Sequence, residues 1–181
     1  MTATEAEEYH MAQVATLDDA GVDMISAITM THVGEAAGIA RACAKRKVPL
    51  AVAFTVETNG DLPSGQPLKE AIREMDADAE NRPAYYMINC AHPDHFRSIL
   101  EAGADWTRRI RGLRANASRM SHAELDEAEE LDDGNPEELG QDYANLLPIL
   151  PNLRVLGGCC GTDHRHIEAI GHACIHVSAE A

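Results

Sequence analysis

The sequence is poor in aromatic residues, poor in positive charge and free of long apolar runs. Aromatics make up 4% of the 181 residues, so any core is built mainly from Ala, Val, Ile, Leu and Met. Lysine and arginine number 15 against 30 aspartates and glutamates, a formal net charge of −15. Such a surface repels phosphate backbones, which argues against nucleic acid and anionic membranes as partners. The apolar run from Val48 to Phe54 is far too short to span a bilayer. Met1 to Glu8 is acidic and lacks an apolar stretch, so no signal peptide is visible. What is present has globular proportions, 45% hydrophobic and 25% charged. The expectation is one soluble, cytoplasmic domain over residues 1–181.

Cysteine narrows the chemistry. There are five, Cys43, Cys90, Cys159, Cys160 and Cys174, an odd number without a secretion signal. A disulfide framework is disfavoured, and metal binding or thiol chemistry is the better reading of any special cysteine.

Strands and helices alternate along the chain. Glu5–Ala20 reads as a helix stopped by Gly21, and Val22–Thr29 as a short buried strand. Thr31–Arg46 is an alanine-rich helix ending in basic residues, which suit a helix C-terminus. Leu50–Val56 is the clearest strand, Thr58–Pro67 a loop dense in turn formers, and Leu68–Ala79 a helix. A strand at Ala84–Asn89, a helix at His92–Ala102 and a strand at Gly112–Asn116 follow. Ser121 with Glu124 forms a capping box, and Asn135-Pro136 opens a helix that ends near Pro148. Val155–Gly158 is a last strand and Asp163–His176 a last helix. Glu124 to Asp142 holds ten of the thirty acidic residues and no Lys or Arg, which reads as a solvated helical face. This alternation predicts an α/β fold with a parallel sheet covered by helices. Its chemistry is expected in the loops after the C-terminal ends of the strands.

Those ends carry Thr29, Glu57, Asn89-Cys90, Asn116 and Gly157-Gly158-Cys159-Cys160-Gly161. Three of the five cysteines therefore fall at one edge of the sheet, and Cys43 and Cys174 fall in helices. Adjacent cysteines in a regular strand point to opposite faces, so Cys159 and Cys160 can meet one ion only where the backbone turns. Gly157, Gly158 and Gly161 supply that freedom. With Cys90, three sulfurs select zinc and leave its fourth position open, as at catalytic zinc. A chance vicinal pair and a small buried Cys90 explain the same spacing. A rival metal set, His164, His166, His172 and His176, lacks a carboxylate motif. A Cys159–Cys160 disulfide would close a strained ring.

Asn89-Cys90 after a strand, followed much later by Gly157-Gly158-Cys159-Cys160-Gly161-Thr162, resembles the homocysteine S-methyltransferase family. The resemblance runs along essentially the whole chain. It implies a (β/α)₈ TIM barrel, Zn²⁺ held by Cys90, Cys159 and Cys160, and a small-molecule thiol, homocysteine, methylated to methionine. The methyl donor would carry its methyl on a positively charged sulfur or nitrogen, or on a cobalamin or folate. The logic is physical: a thiol with a pKa of about 8.5 becomes a nucleophile when a metal deprotonates it. Thr29, Glu57, Asn89 and Asn116 are the candidate substrate-binding residues.

Two departures shape the expectation. The family has Glu-Thr where this chain has Ile28-Thr29, and an isoleucine cannot hold the acceptor's amino group; Glu57 is the candidate replacement. A full barrel needs eight strands and about 250 residues, whereas the five visible strands match only the family's last five. The Asp-Gly-Gly type segment of a first strand is absent. Open edges call for completion by a complementary N-terminal segment, a homo-oligomer or another chain. A non-catalytic zinc- or thiol-binding remnant is the alternative function.

Overall fold

Each β-strand pairs with the strand that follows it in sequence. The structure, a computed structural model, describes residues 1–178, with side chains through Ile175. Five strands, β1 (Ile25–Met30), β2 (Leu50–Phe54), β3 (Tyr85–Asn89), β4 (Ile110–Ala115) and β5 (Val155–Gly158), form one sheet in the order β1-β2-β3-β4-β5. Every pair is parallel. Sequential parallel strands need crossovers of one hand, which puts the intervening helices on a single face. The helices are α1 (Ala3–Asp19), α2 (Val33–Arg46), α3 (Leu68–Ala77), α4 (Pro93–Phe96), α5 (His122–Glu127), α6 (Pro136–Leu146) and α7 (His164–Ser178). No described helix is long and apolar enough to cross a membrane.

Strand alternation divides the sheet into two faces. One face carries Val52, Phe54, Tyr86, Ile88 and Leu113, which are buried in a core shared with Ile39, Leu68, Ile72, Phe96, Leu139 and Leu146 from the helices. The other, inner face has no helix packed on it among the described residues. It carries small side chains at Ala51, Ala53, Gly112 and Gly157, and the Met87 side chain occupies the space a Cβ at Gly112 would need. At the two edges this face reaches solvent, with Ile28 38% and Val155 39% exposed.

Several boundaries differ from the sequence reading. The first strand spans Ile25–Met30, not Val22–Thr29, and is not fully buried: Ser26 and Ile28 are exposed because β1 is an edge strand with a bare inner face. Leu50–Phe54 is buried throughout and ends two residues earlier than expected. The helix expected over His92–Ala102 is one turn, α4, followed by a 3₁₀ turn at Arg97–Ile99. Phe96 leaves helical geometry as its ring enters the core, and Gly103 then turns the chain at φ 79. β4 starts at Ile110, not Gly112.

Both predicted caps form. Ser121 and Glu124 bond reciprocally at α5, and Asn135 accepts from the Glu137 and Glu138 amides at α6. The acidic stretch is not one helical face. It runs through α5, an irregular segment and α6, and that middle segment turns over the C-terminal edge of the sheet.

Candidate metal centre

The ends of β3 and β5 aim three cysteines at one point. β3 stops at Asn89, and Cys90 takes φ 52, a left-handed conformation uncommon for a residue with a side chain. Its N–H still donates to the Arg114 carbonyl of β4 at 3.1 Å. Across β4, the Cys159 N–H donates to the Ala115 carbonyl at 2.8 Å and the Cys160 N–H to Asn116 Oδ1 at 3.1 Å. Thr162 Oγ1 donates to the Cys159 carbonyl at 2.7 Å, closing the turn. A Cβ on Gly158 would lie 2.1 Å from that hydroxyl, so this position has no room for a side chain.

The sulfurs of Cys90, Cys159 and Cys160 all lie within 4.8 Å of one another. Those of Cys90 and Cys159 touch, with Cα atoms 5.5 Å apart, and Cys160 is exposed. One ion with ligands at about 2.3 Å bridges sulfurs at such separations. Three soft donors at the ends of two strands fit zinc in number and kind. Cys43 and Cys174 stand apart in helices; burial pushes the Cys43 thiol up to about 11 and raises that of Cys174, so neither forms a thiolate readily.

A cavity of about 640 Å³ opens in front of Cys90 and Cys160. Thr29, Thr55, Asn116 and His122 form its floor and sides, and residues of the 125–132 segment form the remaining wall. Asn89 and Glu57 are not part of the lining. Asn89 is fully buried and works as a latch: its Oδ1 accepts from the Thr29 N–H at 3.0 Å, and its Nδ2 donates to Thr29 Oγ1 at 2.7 Å. Thr29 is thereby held at φ 61, strained for a β-branched residue, with its hydroxyl 3.8 Å from the Cys90 sulfur. Glu57 faces His122 Nδ1 at 3.3 Å.

His122 is a site residue that sequence reasoning missed. Its Nε2 donates to the Cys90 carbonyl at 2.6 Å, so one ring ties the Glu57 loop to the cysteine turn. Burial opposes charge on the ring, but the Cys90 carbonyl and Glu57 outweigh it and raise its pKa. Its only sequence signal is a place just after the Ser121 cap. Tyr143 was missed too. Its buried hydroxyl accepts from the Ala115 N–H at 2.8 Å and donates to the Gly157 carbonyl at 2.6 Å, pinning β4 to β5 beneath the cysteines.

The histidines of α7 do not compete. His166 is buried as a brace, with Nε2 donating to the Asp133 carbonyl at 2.8 Å and Nδ1 accepting from the Asp163 N–H at 3.1 Å. Among the described residues His164, His166 and His172 join no cluster of metal-binding groups, and the His176 side chain lies outside them. A second cluster, His92, Asp94 and Asp142, includes two carboxylates already faced by arginine. Arg119 pairs with Asp94 at 2.8 Å, and both Arg97 and Arg119 approach Asp142, so this is an ion-pair network.

Comparison with known proteins bears on the fold and the family. The solved structure of the homocysteine methyltransferase MmuM from Escherichia coli, in its apo form, superposes with a TM-score of 0.65 at 18% identity. The match covers 96% of this chain and 58% of that one, so the chain spans less than two thirds of that protein's length. At such identity the likeness shows the fold: five consecutive β/α units of a partial TIM barrel. Among curated proteins none matches significantly. The family model for homocysteine S-methyltransferase matches residues 1–174, and the chain belongs to that family.

Proposed function

We propose that the chain carries the thiol-activating part of a zinc-dependent S-methyltransferase, with homocysteine as acceptor and methionine as product. The observation that carries this reading is the convergence of Cys90, Cys159 and Cys160 beside an open cavity at the C-terminal edge of a parallel sheet. Zinc bound there supplies the Lewis acidity that turns a thiol into a thiolate near neutral pH. The three cysteine side chains bring an excess of negative charge, which keeps a neighbouring sulfur electron-rich. Asn116 and Thr162 hold the Cys159-Cys160 turn, and His122 holds the Cys90 carbonyl, so the ligands are positioned before any substrate arrives. Asp126, Glu129, Glu130 and Asp132 on the far wall favour a donor whose methyl sits on a positively charged sulfur or nitrogen over an anionic folate.

A second reading, a non-catalytic zinc- or thiol-binding remnant, is favoured by two observations. Ile28 stands where the family has glutamate, and both sheet edges are open. Metal analysis and methyl transfer to homocysteine separate the readings. Zinc near one per chain, lost in Cys90→Ser, together with methionine formation supports the enzyme. Zinc without methyl transfer from any sulfonium, ammonium, folate or cobalamin donor supports the remnant. Zinc retained in Cys90→Ser refutes the three-cysteine site.

A further inference from the structure

The five strands contain no aspartate or glutamate, and their only charged residues are Arg111 and Arg114. Arg111 is exposed, but Arg114 is half-buried on the bare inner face. The register fixes that position. Arg114 pairs with Asn89 on one side and Gly157 on the other, and the Asn89 side chain crosses the inner face to Thr29. Arg114 thus lies between the two strands that deliver the cysteines, and its own carbonyl accepts from the Cys90 N–H. Its side chain lies across Gly157: a Cβ there would meet Arg114 Cγ at 3.6 Å and Nε at 3.9 Å. Cys159 follows two residues later, a step of about 7 Å along a parallel strand.

The guanidinium makes no hydrogen bond or ion pair with any described residue. Arg114 is half-buried as a residue and faces no anion among the described residues, and its planar fork matches a carboxylate. On the same face Ile28 offers nothing to an ammonium group. We propose that Arg114 selects the acceptor: it binds the carboxylate of a thiol whose sulfur reaches the cysteine cluster, so the acceptors are carboxylate-bearing thiols and an amino group is not required. This rests on the thiol-activating reading above and adds to it the charge of the substrate.

The test compares two thiols of equal length and opposite charge, 3-mercaptopropionate and cysteamine, by titration calorimetry of the 181-residue chain with and without zinc. The zinc-loaded chain is expected to bind 3-mercaptopropionate at least about tenfold more tightly than cysteamine, the scale of a charge-assisted pair. Arg114→Gln removes that preference, Arg114→Lys keeps most of it, and zinc content is unchanged in both. Circular dichroism verifies that each variant is folded, and Arg114→Met, with the same loss of preference expected, replaces Arg114→Gln if that variant is not. Equal binding of the two thiols, or a preference that survives Arg114→Gln, overturns the proposal. The zinc-free titration separates this failure from that of the underlying reading. A carboxylate preference that persists in a chain unable to bind zinc leaves Arg114 assigned and removes the metal.

Discussion

Removing the Tyr143 hydroxyl tests whether β5 is fastened to the sheet in the way the geometry indicates. In Tyr143→Phe the ring keeps its packing, and only the two hydrogen bonds to the Ala115 N–H and the Gly157 carbonyl are lost. Tyr143 is fully buried, so water does not readily replace its oxygen. A buried backbone group left without a partner costs about 1–3 kcal/mol. The buried Ala115 N–H and the partly buried Gly157 carbonyl, with some relaxation of an edge strand, give a loss of about 3 kcal/mol. For a chain of this size that corresponds to a fall in Tm on the order of 6–12 °C. Urea unfolding followed by circular dichroism reads the free energy, with an unchanged m-value showing that the same cooperative unit unfolds. The variant is also expected to bind zinc more weakly, because Cys159 and Cys160 follow directly on the strand that loses its anchor. A loss below about 0.5 kcal/mol, the range of an ordinary surface substitution, would refute the reasoning.

Two further predictions concern the cavity floor. Asn89→Ala removes both bonds that hold Thr29 at positive φ, and a cost of about 2–4 kcal/mol in unfolding free energy is expected; Asn89→Ala as stable as the parent would show that the latch is not needed. Glu57→Gln is expected to keep zinc at one per chain while weakening acceptor binding two- to fivefold, through a looser His122 and Cys90 turn. Calorimetry with homocysteine decides this, and unchanged affinity dismisses any role for Glu57 in acceptor binding.

Much of this architecture was legible in the sequence, for identifiable reasons. Strands β2 and β3 are short, apolar and bounded by turn formers, and Gly158 and Gly161 mark a turn, one lacking room for a Cβ and the other at positive φ. The capping residues Ser121 and Asn135 marked their helices because an N-cap is a local interaction. What escaped notice depends on distance in sequence. Asn89 looks like a pocket residue until its partner sixty positions away is known. His122 and Tyr143 act on backbone groups of other elements, and a side chain aimed at a distant carbonyl leaves no periodic trace. β1 lies three residues later at its start than its apolar pattern predicts, because it is an edge strand whose inner face meets solvent, so its burial alternates where an interior strand would be apolar throughout. The 125–132 segment was read by its charge as a surface, and only its path over the strand ends makes it a wall of the cavity.

The placement of the cysteines has a mechanical consequence as well as a chemical one. Cys90 and Cys159 are 69 residues apart in the chain, and β5, which leads into Cys159 and Cys160, is an edge strand paired only with β4. A tie between them closes that loop in the unfolded chain, an entropic effect worth about 4 kcal/mol if the closure behaves as a cross-link. An ion bound by the three cysteines would therefore clamp an edge strand as well as activate a thiol, and its chelation is expected to loosen β5 and α7 before the rest of the fold gives way.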